Sequence, residues 1–120
     1  MTETVKEIAA RVIKKYGVYK CKPCAEELRD ELKKAKHKGS ILQMETKGDH
    51  DFIVMKDSDF ELPFPIDENG AISRNGKHFG VDVGGTVYGN VFRSGTTKST
   101  WESSFDCPSH EFTVTVLEEF

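Results

Sequence analysis

The chain has 120 residues, of which 37% are hydrophobic and 31% charged, and its formal net charge is -3. This composition is ordinary for a globular domain, and the length suits one compact core. We therefore predict a single domain over residues 1–120. The negative charge disfavours nucleic acid and anionic membrane surfaces as partners, because both would repel it.

The N-terminal segment gives no sign of targeting. It begins MTETVKEIAARVIKKYG, which is amphipathic rather than continuously apolar, so we expect no signal peptide. No apolar run in the chain approaches the roughly 20 residues that span a bilayer. Three cysteines are an odd number, which argues against a disulfide scaffold and favours a reducing, cytoplasmic setting.

Two amphipathic helices are predicted first. The first begins with a capping box of Thr4 and Glu7 and stops near Gly17. Its apolar stripe has helical spacing and comprises Val5, Ile8, Ala9, Val12, Ile13 and Tyr16. The second helix is predicted from about Pro23 to about His37, because proline suits the first helical position. Its inward-facing residues would be Ala25, Leu28, Leu32 and Ala35.

From Ser40 onward the pattern predicts strands. Two are expected in SILQMET and DFIVMK. A hairpin is expected in HFGVDVGG and TVYGNVF, joined at Gly84-Gly85, and a closing strand in EFTVTVLEEF. The segment RSGTTKSTWESSF is predicted to be a loop with a short helical turn, in which Trp101 and Phe105 pack with Phe112 in the core. Two helices followed by an antiparallel sheet define an α+β fold.

Cys24 is the strongest candidate for a nucleophile. It falls in the first turn of the second predicted helix, where unpaired N–H groups and the helix dipole stabilise an anion. Such a setting favours the thiolate, which is the reactive form of cysteine. The alternative is a small buried hydrophobic residue next to Ala25, which is a common role for free cysteine.

His78 is the best-placed histidine to act as the base, because it opens the first strand of the predicted hairpin. A third group must orient the imidazole, and two candidates follow. Asp82 lies on the same face of a regular strand as His78. Asn90 lies on the partner strand. If Asp82 pairs with Val87, Asn90 is one residue away from the position opposite His78. Each of these could instead be an ordinary polar residue of a strand or turn.

A metal site is the alternative interpretation. Cys21 and Cys24 form a C-x-x-C pair, and Cys107 and His110 have the same spacing. Together they could build a structural zinc site in a protein-interaction module. Against this, Cys24 runs straight into a helix, and the gap between the pairs is longer than in zinc ribbons. A redox role for Cys21 and Cys24 is disfavoured, because no strand precedes the motif.

Three segments together resemble a known family. YKCKPCAEEL, ISRNGKHFGVDVGGTVYGNV and WESSFDCPSHEF, in this order, resemble the papain-fold toxin domains of bacterial polymorphic and contact-dependent toxins. The resemblance runs from about Tyr16 to the C-terminus. It implies a papain-like α+β fold, in which N-terminal helices, one bearing the cysteine, pack on an antiparallel sheet. A catalytically inactive papain-like binding domain would share this pattern.

The resemblance also implies a catalytic triad. Cys24 matches the nucleophile, His78 the general base and Asn90 the orienting residue. Such domains often carry an Asp-Asn pair after the VY, whereas Gly89 occupies the first of these positions here. If the family uses that aspartate, Asp82 or a main-chain group must replace it. Cys21 would be the nucleophile if the helix began earlier than Pro23.

The implied function is that of a toxin effector that hydrolyses peptide or related amide bonds. The backbone N–H of Cys24 would then be a donor to the oxyanion. We expect a protein or peptide substrate and a cognate immunity protein, and no metal or other cofactor. The domain would be made in the producer's cytoplasm and delivered, as part of a larger toxin, into the cytoplasm of a target cell.

Overall fold

The structure is a computed structural model and describes residues 3–16, 20–47, 53–55, 71–73, 76–89, 92–106 and 111–120. Its helices and strands follow one another along the chain as α1 (Val5–Ile13), α2 (Cys21–Lys34), β1 (Ser40–Thr46), β2 (Ile53–Met55), β3 (Ala71–Ser73), β4 (Lys77–Val83), β5 (Thr86–Gly89), β6 (Phe92–Thr97), α3 (Lys98–Ser103), β7 (Phe105–Asp106) and β8 (Phe112–Glu119).

The strands form two antiparallel sheets. The larger sheet has the order β6-β5-β4-β1-β8, and the smaller one has the order β3-β2-β7. The C-terminal strand β8 thus pairs with β1, the first strand of the chain. With two helices preceding an antiparallel sheet, the predicted α+β class is confirmed.

Helices α1 and α2 cover one face of the larger sheet. Thr4 caps α1 in the predicted capping box, since its hydroxyl accepts from the Glu7 N–H and the Glu7 carboxylate accepts from the Thr4 N–H. The apolar stripes of both helices are buried against Phe79, Val81 and Tyr88 of the sheet. We call this the helix-side cluster, which includes Ile8, Ala9, Val12, Ile13, Cys21, Cys24, Ala25, Leu28, Leu32 and Ile41.

The opposite face of the larger sheet packs against α3 and the smaller sheet. This second group of buried residues, here called the aromatic-side cluster, comprises Leu42, Met44, Ile53, Val87, Trp101 and Phe105. Phe92, Phe112 and Val114 pack at its edge. The predicted core role of Trp101, Phe105 and Phe112 is therefore confirmed.

Strand β4 divides its side chains between the two clusters. Phe79, Val81 and Val83 pack on the helix side. Alternation places the intervening residues on the other face, where a Cβ added to Gly80 would lie 3.2 Å from the Trp101 indole. His78, which pairs with Met44, shares this face and contacts the same aromatic rings.

Several predicted boundaries were wrong. Helix α1 ends at Ile13 rather than near Gly17. Helix α2 runs from Cys21 to Lys34, whereas the prediction was from about Pro23 to about His37. Strand β5 ends at Gly89, and Gly89 pairs with Phe92 as the chain returns in β6. Residues 92–97 form the strand β6, although the sequence predicted a loop from residue 93 onward. This strand was not predicted because its residues are mostly small and polar, namely Ser94, Gly95, Thr96 and Thr97. Its pairing with a neighbouring strand overrides their weak local propensity for strand structure.

Candidate active site at the start of helix α2

The first turn of α2 carries both described cysteines. Lys20 is the N-cap, so Cys21 is the first helical residue and Cys24 the fourth. Pro23 is the third, where its missing N–H is still harmless, because the first turn has no intrahelical acceptors for these groups. The Cys24 N–H donates to the Lys20 carbonyl oxygen at 3.1 Å. In this conformation it is therefore not available to an oxyanion, contrary to our expectation.

Cys24 lies deep in the helix-side cluster. It is 1% exposed and close enough to Tyr16 for a charge on its sulfur to act on the phenol. The Tyr16 hydroxyl donates to Oε1 of Glu27 at 2.7 Å. This hydrogen bond, then burial and the negative charge of Glu27, raise the pKa of Tyr16 to about 12. The sequence identified Tyr16 only as a core residue, and no local motif marks it as a neighbour of the thiol.

Cys21 lies where backbone amides converge. It is 7% exposed, and burial raises the pKa of its thiol. The backbone N–H groups of Phe79, Lys22 and Cys21 itself act in the opposite direction, because they donate to the sulfur and favour the thiolate. The amide of Phe79 belongs to β4, so this thiol contacts both the helix start and the sheet. Neither cysteine forms a disulfide bond within the described ranges.

His78 lies on the other face of the sheet. Its side chain is fully buried, with ring centroids 4.7 Å from Phe105 and 5.9 Å from Trp101. Among the described residues, neither ring nitrogen has a hydrogen-bond partner. Burial lowers the pKa of His78 to about 3, because the apolar surroundings disfavour the charged imidazolium. The imidazole is thus neutral in this conformation.

The structure does not bring Cys24 and His78 together. Cys24 belongs to the helix-side cluster, whereas His78 contacts the aromatic-side cluster across the sheet. The cause is the alternation of β4, which turns Phe79 toward α2 and His78 away from it. Sequence alone could not fix this facing, because a one-residue change of register reverses it. The catalytic roles of these residues stay predictions.

The two candidates for the third catalytic residue are Asp82 and Asn90. Asp82 pairs with Val87, as the sequence predicted. Its Oδ1 accepts from the Gly85 N–H at 2.9 Å, so the carboxylate holds the hairpin turn. Asn90 lies outside the described residues, directly after the end of β5.

The zinc interpretation rests on residues of which only half are described. Cys21 and Cys24 are described, whereas Cys107 and His110 lie outside the described residues. Within the described ranges, no group of three or more His, Cys, Asp or Glu residues could hold a metal ion. The described helices also include none that is long and apolar enough to cross a membrane.

These features define a class: an α+β protein of the papain-like kind, with thiols at the start of a helix that packs on an antiparallel sheet. The family model described as "Papain fold toxin 2" matches residues 3–106. The chain belongs to the papain fold toxin 2 family. A search of curated proteins and a search of solved structures gave no significant match.

Proposed function

We propose that the chain is a toxin effector domain that acts as a cysteine-dependent hydrolase of peptide or related amide bonds. The observation that carries this proposal is the family match, which spans the thiols of α2, His78 and position 90. A protease, a deamidase and a transamidase would all use the same groups, since each proceeds through an acyl-enzyme.

The proposed catalytic residues are Cys24, His78 and Asn90. His78 accepts the proton of the Cys24 thiol, and the thiolate attacks the substrate carbonyl to form a tetrahedral oxyanion. Collapse of this species breaks the C–N bond, and the leaving amine takes the proton from His78. A water molecule, deprotonated by His78, then hydrolyses the thioester and regenerates the thiol. Asn90 would hold the imidazole in the orientation needed for both transfers.

This mechanism requires a rearrangement of the described conformation. His78 must leave its contacts with Trp101 and Phe105 and reach the helix side of the sheet. Cys21 is the competing nucleophile, because α2 begins at this residue and backbone amides surround its sulfur. Cys21 and Cys24 lie on the same turn, so substitutions at the two positions are matched controls for each other.

Expression in a bacterial host tests the proposal. Wild type is expected to arrest growth, whereas Cys24→Ala and His78→Leu are not, and Cys21→Ala is expected to remain toxic. Each purified variant must first show the wild-type far-ultraviolet circular dichroism, since His78 is a buried residue. Loss of toxicity in Cys21→Ala alone would move the nucleophile to Cys21. Full toxicity of both cysteine variants would overturn the hydrolase proposal.

The proposed setting follows from the same family. The domain would be delivered as part of a larger toxin into the cytoplasm of another cell, and the producer would make an immunity protein that binds it. Its substrate would be a protein or peptide, not nucleic acid or membrane lipid. Stoichiometric zinc in the purified protein, with loss of folding on chelation, would instead support the interaction module built on Cys21, Cys24, Cys107 and His110.

A further inference from the structure

Strand β8 (Phe112–Glu119) forms an edge of the larger sheet. Among the strands that the structure describes, β1 is its one neighbour. An edge strand presents backbone N–H and C=O groups that can pair with another chain. Proteins commonly protect such edges with short strands, lysines or prolines. β8 has eight residues and contains neither lysine nor proline, so it lacks these three protections.

The same strand carries exposed apolar side chains. Val116 is 51% exposed and Leu117 is 52% exposed. Leu117 lies in a groove between β8 and α2, with about 350 Å³ of open space and with Phe79 and Ala25 among its lining residues. The Arg29 guanidinium bridges the two elements by an ion pair to Oε1 of Glu118 at 2.8 Å. An apolar side chain can thus bind beside a strand edge that pairs with no further described strand.

The charges around β8 select among possible occupants. Residues 111–120 include three glutamates and no lysine or arginine; Glu118 is paired with Arg29 of α2, whereas Glu111 and Glu119 lie near the two ends of β8. Antiparallel pairing with a second copy, centred on Thr115, would place Glu111 directly opposite Glu119. Like charges in opposite positions destabilise a strand pair. An extended segment with basic residues at its ends would instead face the glutamates with opposite charge.

We propose that β8 and the adjoining groove, together called the β8 edge, bind an extended segment of a protein partner as a sixth strand. The segment has β-branched residues in its middle and lysine or arginine at both ends. Its backbone pairs with β8, and one apolar side chain packs against Leu117 in the groove. This surface does not depend on the proposed hydrolase activity, because none of the proposed catalytic residues lines it.

The test uses two fluorescein-labelled peptides, KTVTVTK and its acidic counterpart ETVTVTE, with the intact chain. Anisotropy titrations should show saturable binding of KTVTVTK and at least about tenfold weaker binding of ETVTVTE. Leu117→Lys and Glu119→Lys should each weaken KTVTVTK binding by about tenfold, through lost packing and reversed charge. Glu102→Lys on α3 makes the same charge change on another exposed element and should leave binding unchanged.

Changes in the amide chemical shifts of the isotope-labelled protein show where the peptide KTVTVTK binds. Perturbations should be confined to β8 and to groove residues such as Lys22 and Arg29. Equal binding of the two peptides, no saturable binding, or shifts confined to other elements would overturn the proposal. So would a dimer of wild type, detected by sedimentation, that Leu117→Lys dissociates, because the occupant would then be a second copy.

Discussion

At the scale of single residues, His78 is the most informative position. Its imidazole is fully buried and neutral, and neither ring nitrogen has a hydrogen-bond partner in the part of the chain that the structure describes. An unpartnered buried polar group destabilises the folded state, whereas an apolar group of similar size would not. His78 therefore weakens the core in the described conformation. The proposed mechanism requires His78 to act in a different conformation, and its cost to the core fits such a role.

The pKa of His78 predicts how stability depends on pH. Folding lowers this pKa from 6.5 to about 3, so the unfolded chain binds a proton that the folded protein does not. Stability must therefore fall as the pH falls from 6.5 toward 3, by about 1.4 kcal/mol per unit at most. From about pH 7.5 to about pH 5 the contribution is on the order of 2 kcal/mol.

Urea unfolding of wild type and His78→Leu at these two pH values measures this contribution. The variant should lose less stability than wild type on acidification, because leucine takes up no proton. Met44→Leu is the control, since Met44 pairs with His78, is buried in the same cluster and carries no titratable group, so this variant should lose as much stability as wild type. Equal losses in wild type and His78→Leu would show that His78 is protonated in the folded protein as readily as in the unfolded chain.

At the scale of elements, the β4–β5 hairpin shows how far sequence can predict geometry. Gly84 and Gly85 both have positive φ, at 61° and 93°, as the Gly-Gly pair predicted. Asp82 Oδ1 accepts from the Gly85 N–H and adds a side-chain contact to the turn. The register of Asp82 with Val87 was also predicted correctly, because a two-residue turn fixes the pairing of both strands.

Gly84 and Gly80 should respond to alanine for different reasons. Gly84→Ala meets no atom within 4 Å, so its cost is backbone strain alone, about 1 kcal/mol. Gly84→Asn should recover part of this loss, since asparagine tolerates positive φ. Gly80→Ala places its Cβ 2.7 Å from Val87 and 3.2 Å from Trp101, so it should destabilise through crowding. Urea unfolding of the three variants checks these values.

Results that contradict these expectations for the hairpin would each point to one cause. If Gly84→Ala and Gly84→Asn unfold at the same urea concentration as wild type, positive φ does not limit the turn. If Gly80→Ala is neutral, the Val87 and Trp101 side chains move aside without loss of packing.

At the scale of the whole molecule, the elements were more predictable than the site. Helical spacing and alternation predicted α1, α2, β1, β2, β4, β5 and β8, because each signal lies within one segment. Strands β3, β6 and β7, and with them the assembly of the smaller sheet, depend on pairing between distant segments, which no local pattern contains. The separation of Cys24 from His78 is also nonlocal, because it depends on which face of β4 the helices cover. Local motifs therefore identified candidate residues but not their arrangement.

The larger sheet joins the two clusters, which predicts that the molecule unfolds as one unit. Ile41 belongs to the helix-side cluster and its neighbour Leu42 to the aromatic-side cluster. Because both residues are part of β1, unfolding of this strand disrupts the packing of both clusters. Leu28→Ala removes a fully buried side chain from the helix side and should destabilise the protein by about 2–5 kcal/mol.

Trp101 is the one tryptophan of the chain, and its fluorescence reports the unfolding of the aromatic-side cluster. In Leu28→Ala, its fluorescence and the helical circular dichroism should shift to the same lower urea midpoint, as cooperative unfolding requires. Leu117→Ala, at a half-exposed leucine, is the control and should shift neither signal appreciably. A shift of the helical signal alone would mean that the aromatic side folds independently. Movement of His78 out of its pocket would then not require global unfolding, because local opening can occur at a lower free energy.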